Sequence, residues 1–488
     1  MEAVIKKKQV KRDLTQGPIF SALISFAIPI ILANIIQQVY SLVDLAVAGK
    51  YVGAIGTVGV NTGSELADII LILSTAFATS GQIYMSQQIG AKDEEGIKHT
   101  IGTLLTFTTS IAILAMIGSI AFSNTFLKAI NCPEDAFGQA RSYMIISAFG
   151  FPFVFGYNAV CGILRGMGDS QRPLLFVSIA ATVNIFADLL FVIVFRMEAA
   201  GTALATVLSQ FGSFAAAFIY LKKREESFGI KFDFSIIKLN ASTLGILLKL
   251  AIPQIARATF VRSSLLWINA NLNAYGTAVS AANGVGNKIQ KFSELAISGV
   301  DQASGAMIGQ NLGAKKPDRA KKVTLCTLAT TMACALVVSV IGLLFPRQIF
   351  GLFSNDELVL SISVVYMQFM VIHFFSSAFV GAFQAMVTGC GFVSLGFGIG
   401  ILDGVVCKIG LSLIFVPMFE NLVNGSLFAA ICSQIPVESL ASTGSYGYVG
   451  YFLAIACSRI LPGFLCFGYF LSGKWRTRKL LVKRKMAQ

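Results

Sequence analysis

The sequence predicts an all-α polytopic membrane protein, with twelve transmembrane helices arranged as two six-helix bundles in a parallel, pseudo-two-fold repeat. Three observations support this prediction: an apolar composition, a series of long apolar segments, and a repeat that divides the chain into halves. Of the 488 residues, 55% are hydrophobic and only 13% are charged, and the mean hydropathy is +0.74. Because soluble domains carry about 25% charged residues, this composition excludes an ordinary soluble protein.

Twelve apolar segments follow one another along the chain, each close to the length of about 20 residues that crosses a bilayer. These predicted spans lie at 18–48, 57–85, 99–123, 138–164, 173–195, 199–221, 243–272, 277–309, 323–345, 358–388, 394–418 and 448–472. The basic N-terminus lacks a signal peptide pattern, because the first apolar segment is too long for one. We therefore expect the first helix to act as its own insertion signal.

Lysine and arginine are concentrated in the loops on one side of the predicted membrane. Twelve spans place both termini on the same side, which holds the basic N-terminus, the basic linker between the halves and the basic tail. The opposite loops contain only Lys50, Lys128, Arg141, Arg196 and Arg347. This distribution predicts a protein of the cell (inner) membrane with both termini cytoplasmic. It also accounts for most of the net charge of +14, so the basicity does not indicate a nucleic-acid partner.

The chain repeats itself. The motif QQIGAK at 87–92 returns as QNLGAK at 310–315, 223 residues later, and the tripeptide AIP at 27–29 returns at 251–253. Because an offset of six helices preserves topology, the halves are parallel repeats related by an axis along the membrane normal. A cleft between two such lobes suits alternating access. The predicted division is an N-lobe at 1–222, a cytoplasmic linker at 223–241, a C-lobe at 242–473 and a basic cytoplasmic tail at 474–488.

No catalytic or nucleotide-binding pattern is present in the sequence. The nine cysteines form no CxxC pair, and no HExxH, GxSxG or Walker motif occurs. We therefore expect neither an enzyme nor a bound cofactor. Without an ATP-binding loop, any active transport must draw on an ion gradient.

Seven of the polar side chains inside the apolar spans of the N-lobe are candidates for a shared site: Gln38, Asp44, Tyr143, Asn158, Asn184, Asp188 and Thr206. The uncharged members are also typical of bonds between helices, which contribute about 0.6 kcal/mol each. The two carboxylates differ, because a central Asp costs about 2.5–3.5 kcal/mol in a bilayer. No Lys or Arg lies near the middle of these spans to pair with them, so we expect Asp44 and Asp188 to be functional.

These carboxylates are suited to binding a coupling ion. Burial and the nearby second carboxylate both favour the neutral, proton-bound form of either group. The same oxygens, together with those of Asn184 and Thr206, are also ligands that suit Na⁺. The residues alone leave H⁺ and Na⁺ open as the coupling ion.

Five segments together resemble the multidrug and toxic compound extrusion (MATE) family: LVDLAVAGKYVG (42–53), SQQIGAKD (86–93), LRGMGDSQRP (164–173), NIFADLLF (184–191) and GTALATVLSQ (201–210). The resemblance covers essentially the whole chain and is strongest to the DinF-like and archaeal branches. It implies a V-shaped pair of six-helix bundles that exchanges small cationic, amphipathic substrates for H⁺ or Na⁺, and we expect a monomer in the lipid bilayer. By position, the family's N-lobe polar network maps onto the seven residues named above.

The C-lobe departs from the NorM-type pattern. Those members carry a Glu in the seventh helix where this chain has Val261, and His373 is the only ionisable candidate in the tenth span. Coupling is therefore expected in the N-lobe, with His373 either titrating near neutral pH or serving as a packing residue. If Arg257 and Arg262 face the cleft, they favour an anionic or zwitterionic substrate, and with it the alternative of a lipid-linked oligosaccharide flippase of the same superfamily. If they face neighbouring helices, they are structural.

Charges of opposite sign occupy repeat-related positions in the second and eighth spans. Glu65 and Asp68 are matched, 223 residues later, by Lys288 and Lys291. We hypothesise that they pair across the lobes when the outer side is closed. The alternatives are a local pair between Lys291 and Glu294, one helical turn away, and an acidic cleft mouth formed by Glu65 and Asp68.

Overall fold

The computed structural model describes residues 13–223, 238–421, 445–478 and 480–482, and these residues are helical, without a β-strand. The predicted linker and basic tail lie largely outside the described residues. In chain order the α-helices are α1 (Ile19–Val47), α2 (Gly53–Ala91), α3 (Glu94–Ala121), α4 (Ser123–Ala129), α5 (Glu134–Ala148), α6 (Phe151–Gly166), α7 (Gln171–Asp188), α8 (Glu198–Lys222), α9 (Ala241–Asn273), α10 (Thr277–Gly313), α11 (Pro317–Leu344), α12 (Pro346–Gly351), α13 (Glu357–Gly389), α14 (Val393–Ile401), α15 (Leu411–Asn421), α16 (Gly447–Cys457), α17 (Ile460–Leu471) and α18 (Lys474–Thr477).

Within the part of the chain that the structure describes, three π-helical segments extend these helices. They are Ala48–Val52 after α1, Leu189–Val194 after α7, and Leu402–Gly410 between α14 and α15. Such segments are rare in proteins and are frequent at functional sites.

The predicted spans correspond to these helices. Within the described residues, ten helical spans are long and apolar enough to cross a membrane, and the bent pair of α5 and α6 makes eleven. The eighth predicted span is α10, which is long enough but less apolar because it carries Lys288, Lys291, Glu294 and Asp301. With α10 included, the structure confirms the predicted all-α fold of twelve spans.

The chain divides into two units. Unit 1 comprises Met1–Ile252, Gly309–Lys316 and Leu480–Gln488, and unit 2 comprises Pro253–Ile308 and Pro317–Lys479. The helix α10 therefore contributes to both units, and so does α9. The predicted lobe boundaries at 222 and 242 stay a prediction.

In unit 1, α2 packs against α5 and α6, and α7 packs against α1 and α8. Small residues permit close contact between these helices. A Cβ placed on Gly162 of α6 would overlap the backbone carbonyl oxygen of Ala78 in α2. Without a hydrophobic driving force inside the bilayer, such close backbone packing is a main source of helix association.

In unit 2, α13 is the most extensively packed helix and contacts α11, α12, α16 and α17. Its buried aromatic residues form the centre of the core, where the ring centroids of Tyr366 and Phe452 are 4.9 Å apart in an edge-to-face arrangement. Edge-to-face pairs of this kind add about 0.5–1.5 kcal/mol beyond the buried area.

Candidate ion-coupling site

The helices α1 and α7 bring Asp44, Asn184 and Asp188 together. Asn184 and Asp188 are four residues apart on α7, hence on one face of the helix, and both are fully buried. Because α7 packs against α1, the Asp44 side chain interacts with both of them. The predicted centre of the coupling site is therefore a cluster in three dimensions.

The polar atoms of this cluster are buried but lack hydrogen-bond partners. Both carboxylate oxygens of Asp188, both amide atoms of Asn184 and one oxygen of Asp44 make no hydrogen bond of standard geometry within the described part of the chain, although the Asn184 amide interacts with Asp44. Buried polar atoms in proteins are nearly always paired, so each exception requires an explanation. A proton shared between the carboxylates, or a cation bound by these oxygens, would satisfy them.

Two tyrosines complete the surroundings of the carboxylates. Tyr143 of α5 is buried and interacts with both Asp44 and Asp188, and Tyr40 of α1 interacts with Asp44. A Cβ on Gly63 of α2 would lie 3.0 Å from the Tyr143 ring, so glycine is needed for this approach. Tyr40 was not predicted from the sequence, although its position one helical turn before Asp44 was a usable signal.

Two of the π-helical segments adjoin the carboxylates. Leu189–Val194 begins directly after Asp188, Ala48–Val52 follows Asp44 by one turn, and the two segments contact each other. In these segments, i→i+5 hydrogen bonds replace the i→i+4 bonds of the α-helix. The cluster therefore lies beside the least regular part of both helices.

Other predicted residues lie apart from this cluster or take part in other bonds. The Asn158 amide donates to the Ser74 hydroxyl over 3.0 Å, and the Thr206 hydroxyl donates to the Thr202 carbonyl over 3.0 Å. Gln38 is half-buried on α1. The bond of Asn158 joins α6 to α2, as the helix-packing interpretation expects, whereas the bond of Thr206 lies within α8. A role for either residue in ion binding stays a prediction.

Unit 2 contains buried charges that the sequence analysis missed. Lys408 Nζ lies 2.9 Å from Asp403 Oδ1, and the side chains are 2% and 3% exposed. Both belong to the π-helical segment Leu402–Gly410, where a wider turn places residues five apart on the same face. Two ionisable residues inside an apolar run were a usable signal in themselves.

His373 belongs to the same group of charges. Its Nε2 lies 3.0 Å from Glu294 Oε1, and Arg459 Nη2 lies 3.0 Å from the same oxygen. Glu294 therefore pairs with α13 and with the break between α16 and α17, so the proposed alternative pair with Lys291 is wrong. The reason is that tertiary partners with fixed geometry replace the neighbour one turn away.

The buried charges of unit 2 are balanced, whereas those of the cluster around Asp44 and Asp188 in unit 1 are not. In unit 2, the carboxylates of Glu294 and Asp403 are compensated by Arg459 and Lys408. In unit 1, Asp44 and Asp188 interact with each other and with Asn184, and none of the ion pairs of the described residues involves them. A compensated network is typical of structural ion pairs, whereas an uncompensated acidic pair is typical of an ion-binding site.

The remaining predicted residues lie on several helices. Arg257 packs against α14, since a Cβ on Gly400 would lie 2.6 Å from its own Cβ, and it interacts with Asp301. This packing agrees with the structural interpretation of Arg257, while Arg262 is half-buried. Lys288 Nζ lies 5.4 Å from the centre of the Phe353 ring. Glu65, Asp68 and Lys291 are exposed, and the cross-lobe pairing stays a prediction.

Together, the helical fold and the buried polar cluster are typical of a polytopic membrane transporter. The sequence model of the MatE family matches residues 29–190 and again 253–414, so the chain belongs to this family, the MATE transporters. The two matches start 224 residues apart, which confirms the internal repeat.

Curated relatives agree with this assignment. The chain is 28% identical to "Probable multidrug resistance protein YoeA" of Bacillus subtilis (strain 168), over 72% of this chain and 78% of the relative. It is 26% identical to "Probable multidrug resistance protein YpnP" of the same strain, over 97% and 99%. It is 21% identical to "Multidrug export protein MepA" of Staphylococcus aureus (strain MRSA252), over 88% and 92%.

Solved structures show the same fold. A structure described as "Outward-facing conformation of a multidrug resistance MATE family transporter of the MOP superfamily" matches with a TM-score of 0.83 at 18% identity, covering 98% of this chain and 99% of its own. A MOP superfamily transporter from Pyrococcus furiosus, described as having a binding pocket of reverse polarity, matches with a TM-score of 0.84 at 18% identity, over 97% and 99%.

Proposed function

We propose that this protein is a secondary active multidrug efflux transporter, which exchanges small organic cations for H⁺ or Na⁺ by alternating access. The main observation in support is the buried acidic pair Asp44 and Asp188 beside Asn184, with five polar atoms that lack partners among the described residues. The names of the curated relatives, which refer to multidrug resistance or export, support the same class of activity.

Electrostatics explains why such a pair exchanges one cation for another. When both carboxylates are ionised, two negative charges in a medium of low dielectric constant repel each other and attract a cation strongly. A proton or Na⁺ bound between Asp44 and Asp188 removes one unit of negative charge and weakens that attraction. The coupling ion and the organic cation then compete for one charge site, which is the requirement for antiport.

The neighbouring backbone provides a means of transmitting this change. α1 contains Pro29, which removes one helical hydrogen bond and allows a kink. In the mechanism that we propose, ion entry from outside neutralises the pair, α1 rearranges at Pro29, and the substrate leaves. In this proposal the protein acts as a monomer in the cell membrane. Both of its termini lie in the cytoplasm, as the distribution of lysine and arginine predicts.

The packing of Arg257 bears on the alternative activity. Arg257 and Arg262 would favour a flippase for anionic lipid-linked oligosaccharides if they faced the transport pathway. Arg257 instead packs against Gly400 and interacts with Asp301. We therefore propose cation efflux alone.

The test is Asp188→Asn, which keeps the size of the side chain and removes its charge and its proton. In proteoliposomes with an imposed H⁺ or Na⁺ gradient, we expect loss of ethidium efflux and of the ion flux coupled to it. Asp135→Asn is the matched control, because Asp135 is exposed before the membrane-spanning part of α5, and we expect it to transport normally. Ion-coupled transport by well-folded Asp188→Asn protein would contradict the assignment.

A further inference from the structure

The repeated motifs at 87–92 and 310–315 take no part in the ion-coupling site, yet the structure places them against each other. A Cβ on Gly90 would overlap the carbonyl oxygen of Gln310, and a Cβ on Gly313 would overlap that of Gln87. A Cβ on Gly309 would lie 3.1 Å from the Cβ of Ser86. The ends of α2 and α10 therefore meet backbone to backbone, at distances that only glycine permits.

Buried amides around this crossing hold the segment that precedes α1. Leu14 is fully buried; its backbone N–H donates to Gln310 Oε1 over 3.3 Å, and its carbonyl accepts from Asn311 Nδ2 over 3.3 Å. Gln310 Nε2 also donates to the Gly166 carbonyl over 2.9 Å. Two adjacent side chains of α10 thus bind both backbone polar groups of one residue.

The C-terminal end of the described chain contacts the same place. The backbone N–H of Leu481 donates to Gln87 Oε1 over 3.2 Å, and Lys316 Nζ donates to the Thr15 carbonyl over 3.0 Å. All these residues belong to unit 1. The repeated motifs therefore bind the segments at both ends of the described chain.

We infer that these contacts form a gate on the side of the membrane where both termini lie. We call it the terminal clamp: the crossing of Gln87–Gly90 with Gly309–Gly313, and the residues Leu14 and Leu481 bound to it. α10 continues from the clamp into unit 2, so any displacement of α10 relative to α2 must first separate the glycine contacts and release Leu14. Opening of the pathway to the terminal side therefore requires release of the clamp. This inference rests on the alternating access proposed above.

The chemistry of the clamp suits repeated opening. The hydrogen bonds of Leu14 and Leu481 join neutral amide groups. When these groups separate, each donor and acceptor can form a hydrogen bond with water instead. Release therefore exposes no unpaired charge. The glycine contacts fix the position of α10 against α2 in the closed state. The hydrogen bonds of Leu14 and Leu481 stabilise this arrangement further.

A buried reporter cysteine tests the clamp. Ser86→Cys places a thiol at a fully buried position against Gly309, and labelling by a membrane-impermeant maleimide in inside-out vesicles measures how often the clamp opens. The parent protein without this cysteine corrects for the native thiols. We expect slow labelling when Ser86→Cys is the only substitution.

Two substitutions should open the clamp. Leu14→Asp places a charge at a fully buried position outside the helices, and Gly90→Ala forces the crossing apart. We expect each to raise the labelling rate of the reporter thiol by about tenfold or more, the response to a tenfold rise in the open population. Gly245→Ala is the matched control, since its Cβ meets no atom within 4 Å, and we expect unchanged labelling. Unchanged labelling in folded Leu14→Asp protein would overturn the inference.

A reversible lock gives a second measurement. The pair Ser86→Cys and Gly309→Cys starts from a Cβ separation of 3.1 Å. This is slightly shorter than the roughly 3.5–4.5 Å of a disulfide, so a shift of a few tenths of an ångström at the crossing allows the bond to form. A protease site inserted between Lys223 and Asn240 shows whether the two halves stay linked after oxidation. We expect oxidation to stop transport and reduction to restore it. A locked protein that still transports would refute the clamp. Labelling requires no substrate or coupling ion, so its result stands even if cation antiport fails.

Discussion

Removal of Lys408 alone should destabilise the protein strongly, because it leaves Asp403 buried without its closest partner. At 2.9 Å between Lys408 Nζ and Asp403 Oδ1, the Coulomb attraction is about 6 kcal/mol for an effective dielectric constant of about 20. Desolvation offsets much of this attraction. Breaking a buried pair from one side costs about 3–5 kcal/mol when the remaining charge is uncompensated. Arg459 Nε remains 3.8 Å from Asp403 Oδ2 and compensates part of that charge, so we expect a cost near the lower end of this range.

The assay compares Lys408→Met with the double variant Asp403→Leu/Lys408→Met in detergent, by thermal unfolding followed by size exclusion. We expect a fall in Tm of several degrees for the single variant and a value near wild type for the double variant, in which no charge is left unpaired. Arg459 keeps its partner Glu294, 3.0 Å away, in both proteins. Lys321→Met is the matched control, since Lys321 is exposed on α11, and it should change stability by less than about 0.5 kcal/mol. Equal destabilisation by the single and double variants would refute the reasoning.

Three further results are expected. Tyr143→Phe should lower the transport rate about fivefold through loss of a neutral hydroxyl beside the carboxylates, as measured in proteoliposomes; an unchanged rate would exclude Tyr143 from the site. Gly162→Ala should cost about 1–3 kcal/mol by overpacking against Ala78, whereas Gly118→Ala, whose Cβ meets no atom within 4 Å, should not destabilise; thermal unfolding of both distinguishes them. Partial burial, and then Asp135, raise the pKa of the Cys132 thiol. Asp135→Asn should therefore increase the thiolate fraction of Cys132 and speed its labelling by maleimide on intact cells, by less than about tenfold at neutral pH. Labelling of Cys132 only from the cytoplasmic side would contradict the predicted orientation.

The helices and the acidic pair of Asp44 and Asp188 could be predicted from the sequence alone. Long apolar runs dictate helices in a membrane because every backbone group must be paired internally, and Asp44 and Asp188 are conspicuous inside such runs. Asn184 joins them because residues four apart share a helix face. The shared face and the cost of a buried charge are both local properties, which is why they can be read from one chain.

The rest depended on tertiary packing. A one-turn spacing suggested Lys291 as the partner of Glu294, but His373 and Arg459 come to it from distant parts of the chain. The pair of Asp403 and Lys408 was missed because a spacing of five aligns side chains only in a π-helix, and no local propensity predicts one. The burial of Leu14 depends on Gln310, almost three hundred residues away, so it could not be predicted either.

The π-helical segments after Asp44 and Asp188 have a mechanical consequence. A π-turn contains one residue more than an α-turn, and an exchange of one carbonyl acceptor for the next would move that extra residue along the helix. Each residue that it passes turns by roughly 100° about the helix axis, the angular step of an α-helix. The helices that contain the two carboxylates can thus change which side chains face the pathway by sliding a defect, without unwinding and without moving their ends.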